Sequence, residues 1–387
     1  MASSWQPIQG GVTAPNGFQA AGIVAGLKPS GKPDLALVLA PETAVCAGTF
    51  TTSVVRAACV DLCRDRLVST AGQARAVLIN SGQANACTGD RGLVDSQRAT
   101  QVLADQLGVD AESVLICSTG VIGVPIPMTT LLAGLAPLVE ALDDAGGDAA
   151  ANAILTTDLV DKQVALELEL EGRRVRIGGM AKGSGMIHPD MATMLGFFSC
   201  DAGVDAGVWQ GMVRRAVQRS FNAITVDGDT STNDTVLAFA AGPPLDQLHH
   251  AVLEQGLTQA MQQLAQAIAR DGEGATCLIE VQVEGAVDEA AALQVARTVC
   301  GSSLVKTAVH GRDPNWGRIV AAAGRSGVSF DPDAVALWIG PHQLMAAGQP
   351  VAFDRAAASN VLRQEHVPIR LGLGHGSGCG QAWGCAP

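Results

Sequence analysis

Alternating and helical hydrophobic patterns follow one another along this chain. The apolar runs Leu35–Ala40 and Ala76–Ile79 are typical of buried strands. Leucines alternate with glutamates from Leu166 onward, and beyond Gly172 valine and isoleucine alternate with arginines as far as Ile177. This alternation on both sides of a glycine predicts a β-hairpin with one apolar face.

The second half of the chain has helical periodicity followed by strand periodicity. Two helices and then a strand are predicted from apolar positions that share one face. The combination of strands and helices predicts an α/β fold. The positions are Val208, Met212, Val213, Ala216 and Val217 for the first helix, Leu253, Leu257, Met261, Leu264 and Ile268 for the second, and Ile279, Val281 and Val283 for the strand.

The composition is that of a globular protein with a large core. The chain has 387 residues, 48% hydrophobic and 16% charged, which is enough for two domains or lobes. A net charge of −12 argues against nucleic acid and anionic membranes as partners, since both attract clustered lysine and arginine. No apolar run approaches the roughly 18 residues that span a bilayer, and no secretory signal begins the chain, so we expect a cytoplasmic protein.

Cysteine and histidine show no pattern of metal ligands. The ten cysteines are scattered, without a Cys-x-x-Cys pair or a Cys/His cluster at zinc spacing. The seven histidines show no metal spacing either. We therefore expect reduced, mostly buried thiols and no metal site.

A candidate nucleophile lies in the glycine-rich run Met180–Leu195, where Thr193 directly follows the small residue Ala192. A threonine hydroxyl is a poor nucleophile unless a base adjoins it, and its own α-amine, which titrates near neutrality, can be that base. An internal threonine gains this amine only if the chain is cleaved before it. The five residues around Thr193, taken alone, would rather indicate a buried strand, so the nucleophile hypothesis depends on the wider pattern.

Nine further segments, in order along the chain, extend the pattern from about Gly10 to Cys385. With Met180–Leu195 they resemble the motifs of the ArgJ family, the ornithine acetyltransferases or glutamate N-acetyltransferases. The segments are Gly11–Pro15, Asn80–Gly89, Ser118–Gly123, Thr156–Asp158, Ser220–Asn222, Thr225–Thr235, Asp271–Thr276, Leu304–Ala308 and Asp313–Arg318.

The resemblance implies a fold and a maturation step. The fold is a layered α/β sandwich, similar in layering to the N-terminal nucleophile hydrolases. Thr193 would attack the Ala192 carbonyl, and cleavage would yield an α chain, residues 1–192, and a β chain, residues 193–387. Family members assemble as heterotetramers of two copies of each chain.

The resemblance also implies a reaction. Thr193 would take the acetyl group from N2-acetyl-L-ornithine, release ornithine, and pass the group to L-glutamate by ping-pong kinetics. Thr119 and Gly120 match the oxyanion pair of the family, although the residues alone would favour an ordinary turn after the strand that ends at Cys117. No cofactor is implied, and acetyl-CoA stays open as a second acetyl donor.

Thr193 is itself one of the substrate-binding positions that the resemblance implies, and four further residues match such positions. Lys182 would bind the carboxylate side, and Glu273 would bind the amino group. From composition alone, Lys182 could be a surface lysine and Glu273 a solvated turn residue. Either Thr156 or Thr157 would occupy a further substrate-binding position, and we favour Thr157.

The sequence differs from the family at its C-terminal end. Family members usually continue past the Trp-Gly-Cys motif, whereas this sequence ends at Pro387, soon after Cys385. Two substrate-contacting positions of that tail have no counterpart here. Two alternatives therefore stay open: an N-terminal-threonine amidase or aminopeptidase, and a truncated homologue without catalytic activity.

Overall fold

The computed structural model of the protein describes residues 4–170, 172–188, 194–374 and 376–387. Ala192 and Thr193, the predicted cleavage residues, lie outside the described residues. The strands of the described ranges are β1 (Gln6–Pro7), β2 (Gln19–Ile23), β3 (Leu35–Leu39), β4 (Val45–Phe50), β5 (Ala76–Gln83), β6 (Val114–Val121), β7 (Lys162–Leu170), β8 (Arg173–Lys182), β9 (Leu195–Cys200), β10 (Ile224–Thr225), β11 (Thr235–Ala240), β12 (Cys277–Ala286), β13 (Ala336–Ile339), β14 (His342–Ala346), β15 (Gln349–Pro350), β16 (His366–Gly372) and β17 (Gly378–Ala386).

Helices separate most of these strands. The α-helices of the described ranges are α1 (Ala58–Ser69), α2 (Gly89–Leu107), α3 (Met128–Glu140), α4 (Gly147–Ala153), α5 (Ala206–Gln218), α6 (His250–Arg270), α7 (Glu289–Cys300), α8 (Ser303–His310), α9 (Trp316–Gly324) and α10 (Arg355–Val361). Short 3-10 helices cover Gly11–Thr13, Ala111–Ser113, Phe221–Ala223, Gln247–His249 and Pro332–Ala334.

The chain divides into two compact units, each assembled from separate stretches of sequence. This is a structural division, and the cleavage into chains 1–192 and 193–387 stays a prediction. The first unit comprises the described parts of Met1–Gly183, Asp190–Gln218 and Thr230–Leu264, and the second those of Ser184–Pro189, Arg219–Asp229 and Ala265–Pro387.

The first unit is a layered α/β sandwich. Its sheets have the strand orders β1-β7-β8-β9-β11-β4 and β2-β3-β5-β6. Side chains from both sheets, such as Val38 and Phe197, share one buried core, so the sheets pack face to face. On its other face, the four-stranded sheet packs against α1, α2 and α3 through residues such as Leu37, Leu103 and Leu135. The predicted layered α/β fold is confirmed.

Strand β3 shows why some strands of this unit lack hydrophobic alternation. Leu35 and Leu37 belong to the core on the helix side, whereas Ala36 and Val38 belong to the core between the sheets. A strand that is covered on both faces is apolar at nearly every position. The sequence accordingly predicts this strand from a continuous run.

Strands β7 and β8 form the predicted hairpin. They pair antiparallel, with Lys162 opposite Ala181. Gly172 has a φ of +72°, a left-handed conformation that favours glycine. The alternate leucines of β7 are buried. At the open end of the hairpin, the strands bring Lys162 and Lys182 to neighbouring positions.

The second unit is built on one sheet, with the strand order β10-β17-β12-β16-β13-β14-β15. The predicted strand around Ile279 is β12, which pairs parallel with β16 and antiparallel with β17. Helices α7, α8 and α9 contribute Val295, Val305 and Ile319 to the core of this sheet. The unit therefore has an α/β core of its own.

The helical periodicities predict α6 correctly and α5 with one error. All five predicted apolar residues of α6 are buried. In α5, the prediction is wrong at Val208, which is 39% exposed, while the neighbouring Trp209 is fully buried. The Trp209 indole Nε1 donates a hydrogen bond to the Ala238 carbonyl oxygen at 2.8 Å, and buried indoles usually find such a partner.

Candidate active site

Lys182, the predicted carboxylate ligand, is the last residue of β8. Its side chain is 2% exposed, so the surface-lysine interpretation is wrong. Within the part of the chain that the structure describes, its ammonium makes no hydrogen bond or contact ion pair. Burying an ammonium without a direct partner is costly. This side chain is therefore suited to an anionic ligand.

Charged groups surround Lys182 at longer range. Burial lowers the pKa of Lys182, the charges of Asp158 and Asp234 raise this pKa, and the charge of Lys162 lowers it.

Lys28 is a further lysine of this region. Burial lowers the pKa of Lys28 to about 8, and the Lys28 Nζ donates to the carbonyl oxygens of Pro33 and Leu155 at 2.8 and 2.6 Å. Among the described residues, lysines and aspartates thus cluster at this end of the hairpin.

Asp158, the third residue of the Thr-Thr-Asp segment, connects several of these groups. Its Oδ1 accepts hydrogen bonds from the Lys162 Nζ and from the Gly183 N–H, each at 2.7 Å. Its Oδ2 accepts from the Thr156 N–H at 3.1 Å. Burial alone would raise the pKa of Asp158, but the Lys162 and Lys182 cations outweigh it and hold that pKa below its ordinary value. Asp158 is therefore an ionised, buried carboxylate at neutral pH.

Thr156 and Thr157 precede this carboxylate in an exposed loop. The bond from the Thr156 N–H to Asp158, and the bond from the Gly183 N–H to the same side chain, tie this loop to the end of β8. The structure thus brings the Thr-Thr segment and Lys182 to one region of the first unit. The preference for Thr157 over Thr156 stays a prediction.

Thr119 and Gly120 lie in the last part of β6. The alternative interpretation, an ordinary turn after Cys117, is wrong, because β6 runs on to Val121 and pairs with β5 along its whole length. Gly120 has a φ of +129°, and a Cβ on it would collide with the backbone of Gly82, so glycine is required there. Thr119 is buried, and its hydroxyl makes no hydrogen bond with another described residue.

Buried amide and hydroxyl groups fix the backbone next to Thr119. The Asn233 Nδ2 donates to the carbonyl oxygens of Ala84 and Ser118, at 2.5 and 2.8 Å. The Ser118 Oγ donates to the Asn80 Oδ1 at 2.6 Å. Residues from three of the motif segments therefore meet at the carboxyl end of β6.

Asp234 holds the chain immediately after the predicted nucleophile. Its Oδ1 accepts a hydrogen bond from the Met194 N–H at 2.9 Å. The side chain is fully buried, and burial raises its pKa well above the ordinary value, although the Met194 N–H and the Lys182 cation oppose this. Asp234 is thus the weaker counter-charge of Lys182.

Glu273 lies in the second unit, in the exposed turn before β12. Its N–H donates to the Ser184 carbonyl oxygen at 2.8 Å. A Cβ on Gly185 would lie 2.8 Å from the Glu273 carboxylate. The Glu273 side chain therefore lies close to the backbone of Gly185, which has no side chain of its own. Its exposure fits the solvated-turn interpretation, and its carboxylate is equally accessible to a ligand. The predicted role in binding stays a prediction.

The remaining expectations concern thiols, metals and membranes. Eight of the ten cysteines are buried, and Cys87 and Cys379 are exposed. Burial raises the pKa of Cys59, Cys200 and Cys300 to about 12, so these thiols stay protonated. Among the described residues, no group of three or more His, Cys, Asp or Glu side chains could hold a metal ion. No helix of those residues has the length and apolar character needed to cross a bilayer.

Sequence reasoning missed the polar groups that support the predicted site. Asp158, Asn233 and Asp234 all lie in segments that carry the resemblance, but no role was assigned to them. Each of them has a partner distant in sequence: the Gly183 N–H for Asp158, the Ala84 carbonyl oxygen for Asn233 and the Met194 N–H for Asp234, at separations of 25, 149 and 40 positions. The signal that could have identified them is a run of small polar residues in segments that otherwise precede buried strands.

Comparison with known proteins identifies the family. A model of the ArgJ family matches residues 19–386. The arginine biosynthesis bifunctional protein ArgJ of Parasynechococcus marenigrum is 80% identical over 385 residues, which cover 100% of this chain and 94% of that protein. The protein of the same name from Prochlorococcus marinus is 71% identical over 394 residues, which cover 100% of this chain and 92% of that protein.

A solved structure adds a further relative. The ornithine acetyltransferase of Mycobacterium tuberculosis, complexed with ornithine, is 44% identical and has a TM-score of 0.44, covering 48% of this chain and 98% of that one. The sequence relatives favour neither the hydrolase nor the non-catalytic alternative. The chain belongs to the ArgJ family, the acetyltransferases of arginine biosynthesis.

Proposed function

We propose that this enzyme transfers the acetyl group of N2-acetyl-L-ornithine to L-glutamate, after self-cleavage between Ala192 and Thr193. The family match over residues 19–386 supports this substrate pair. One structural observation carries the assignment of a carboxylate-binding position: Lys182 is buried, and its ammonium makes no hydrogen bond or ion pair with another described residue. An amino-acid carboxylate would supply the missing partner.

Maturation creates the nucleophile. The Thr193 Oγ attacks the Ala192 carbonyl carbon, the peptide nitrogen becomes the free α-amine of Thr193, and water hydrolyses the resulting ester. The products are chains 1–192 and 193–387. The bond between Asp234 and the Met194 N–H supports this proposal, since it anchors the chain one residue after the nucleophile.

Acetyl transfer then proceeds in two half-reactions. The α-amine of Thr193 takes the proton of the hydroxyl as the Oγ attacks the acetyl carbonyl carbon, and the C–N bond to ornithine breaks as its amine is protonated. In the second half, the amine of glutamate attacks the acetyl carbonyl carbon, the bond from this carbon to the Thr193 Oγ breaks, and the α-amine of Thr193 carries the proton from the glutamate amine to the Oγ. Thr119 and Gly120 would stabilise the oxyanion of each tetrahedral intermediate, and Thr157 and Glu273 would bind the rest of the substrate.

Three finer points belong to the same proposal. Acetyl-CoA serves as a second acetyl donor, in keeping with the word bifunctional in the names of the relatives. The two chains assemble as a heterotetramer of two copies each, and the enzyme works in the cytoplasm. Acetylation of glutamate by acetyl-CoA without acetylornithine, and the mass of the native assembly, test the first two points separately.

The decisive assay uses acetylornithine with an isotopically labelled acetyl group and follows where the label goes. With glutamate present, we expect labelled acetylglutamate and an equal amount of ornithine, both measured by mass spectrometry. Labelled free acetate without acetylglutamate would show a hydrolase. Absence of turnover with either acceptor would overturn the proposal.

A further inference from the structure

We infer that Asp158 is a positioning residue for the substrate: its buried carboxylate holds the Thr156–Thr157 loop against the end of β8 and places a negative charge near the Lys182 ammonium. The inference rests on the proposed function for the role of Lys182 as a carboxylate ligand. The family resemblance assigns no role to Asp158.

The contacts of Asp158 join two parts of the chain that are distant in sequence. The Asp158 side chain is 0% exposed. One oxygen accepts the N–H of Gly183, the residue that follows Lys182, and the other accepts the N–H of Thr156. A single carboxylate therefore sets the spacing between two segments that we assign to substrate binding.

Asp158 is also the main ionised counter-charge of Lys182. Among the described residues, Asp158, Asp234 and Lys162 act on Lys182, and Lys28 lies in the same group of charges. Burial raises the pKa of Asp234 well above its ordinary value, which favours its neutral form. The pKa of Asp158 is held below the ordinary value, so this carboxylate stays ionised.

Lys162 fixes Asp158 and opposes its electrostatic effect. The Lys162 Nζ donates to the Asp158 Oδ1 at 2.7 Å and to the Val160 carbonyl oxygen at 3.2 Å. Its positive charge lowers the pKa of Lys182, whereas the charge of Asp158 raises it. Removing Asp158 and removing Lys162 must therefore change the titration of Lys182 in opposite directions. A merely structural pair would produce no such opposition.

The test compares pH profiles of kcat/KM for acetylornithine, which report groups of the free enzyme. In Asp158→Asn, the amide oxygen can still accept one backbone N–H but the charge is gone. The alkaline limb should move down by about one pH unit. Above that limb, KM should rise roughly tenfold, because the protonated fraction of Lys182 falls by that factor. The kcat of the saturated enzyme should change less than KM.

The variant Lys162→Met makes the opposite prediction. Its alkaline limb should move up, because a repelling charge is removed and Asp158 is left unneutralised. This variant keeps the inference testable if Asp158→Asn does not fold or cleave. An upward shift supports the inference, and an unchanged or lowered limb contradicts it.

Asp161→Asn is the matched control, since Asp161 is an exposed acid of the same loop, bonded to the Gln163 Nε2 at 2.8 Å. Its alkaline limb should coincide with that of the wild type. The amine of the substrate titrates equally in every assay, so differences between variants belong to the enzyme. If wild-type enzyme does not transfer acetyl, the proposed function fails. If the wild type is active and the two variants keep its alkaline limb, the inference about Asp158 fails.

Discussion

Lys182 in the first unit and Glu273 in the second are both assigned to substrate binding, but they are built in opposite ways. Lys182 is buried among other ionisable groups at the end of a strand, where burial lowers its pKa and the Asp158 carboxylate raises it. Glu273 is exposed in a turn, and its carboxylate lies over Gly185. Burial of the Lys182 ammonium is unfavourable, and an anionic ligand would offset that cost. The exposed Glu273 carboxylate is already solvated by water, so a ligand has less cost to offset there.

The comparison predicts the largest effect for Lys182→Met. We expect kcat/KM for acetylornithine to fall roughly a thousandfold, because a buried charge pair with the substrate is lost. The free energy of unfolding should stay equal or rise, since the cost of burying this ammonium is removed. Steady-state kinetics and urea unfolding measure the two quantities.

Lys32→Met, at an exposed lysine, is the control for Lys182→Met and should leave both quantities unchanged. A loss of stability above about 1 kcal/mol in Lys182→Met would instead indicate a structural lysine.

Thr119→Ala, in the same unit, should affect the rate of the chemical step and leave substrate binding nearly unchanged. Loss of an oxyanion donor should lower kcat by about 10²–10³ while KM changes little. Thr119→Ser retains the hydroxyl and should recover most of the rate. Normal turnover of the alanine variant would remove Thr119 from the site.

Glu273→Gln should show the behaviour of the exposed site. Losing a charged hydrogen bond to the substrate amine should raise KM by roughly tenfold to hundredfold. The free energy of unfolding should change by no more than about 0.5 kcal/mol, as is usual for an exposed residue. A large loss of stability with unchanged KM would reverse the comparison, making Glu273 the structural residue.

Gly185→Ala should have the smallest effect. The added methyl would lie 2.8 Å from the Glu273 carboxylate, and the flexible end of an exposed side chain can move away. We expect KM to rise by less than about tenfold, with kcat unchanged. Gly324→Ala adds the same methyl where nothing lies within 4 Å, so its KM should match the wild type. Equal KM values in both variants would show that the position of Glu273 does not matter.

The elements were predictable where the hydrophobic pattern is local. The β7–β8 hairpin follows from the alternation on both sides of Gly172, and the apolar stripe of α6 follows from spacings of three and four. The extension of β6 through Thr119 was not predictable, because it depends on pairing with β5. Trp209 was missed for a similar reason, since its burial includes a hydrogen bond to a distant strand.

The candidate site was predictable only in part. Resemblance indicated Lys182, Thr119 and Glu273, because their motifs are continuous in sequence. The burial of Lys182 and its proximity to Asp158 could not be inferred, since the Asp158 Oδ1 accepts a hydrogen bond from a backbone N–H 25 positions away. Electrostatic environment is a property of the packed structure, which a pattern of residue types does not contain.

The most direct test of the central claim is the mass of the purified protein under denaturing conditions, with N-terminal sequencing of each chain and Thr193→Ala beside the wild type. The account predicts two chains for the wild type, one beginning at Thr193, and a single uncut chain without acetyl transfer for the variant. A wild-type protein that remains one uncut chain would contradict the self-processed nucleophile on which the proposed mechanism depends.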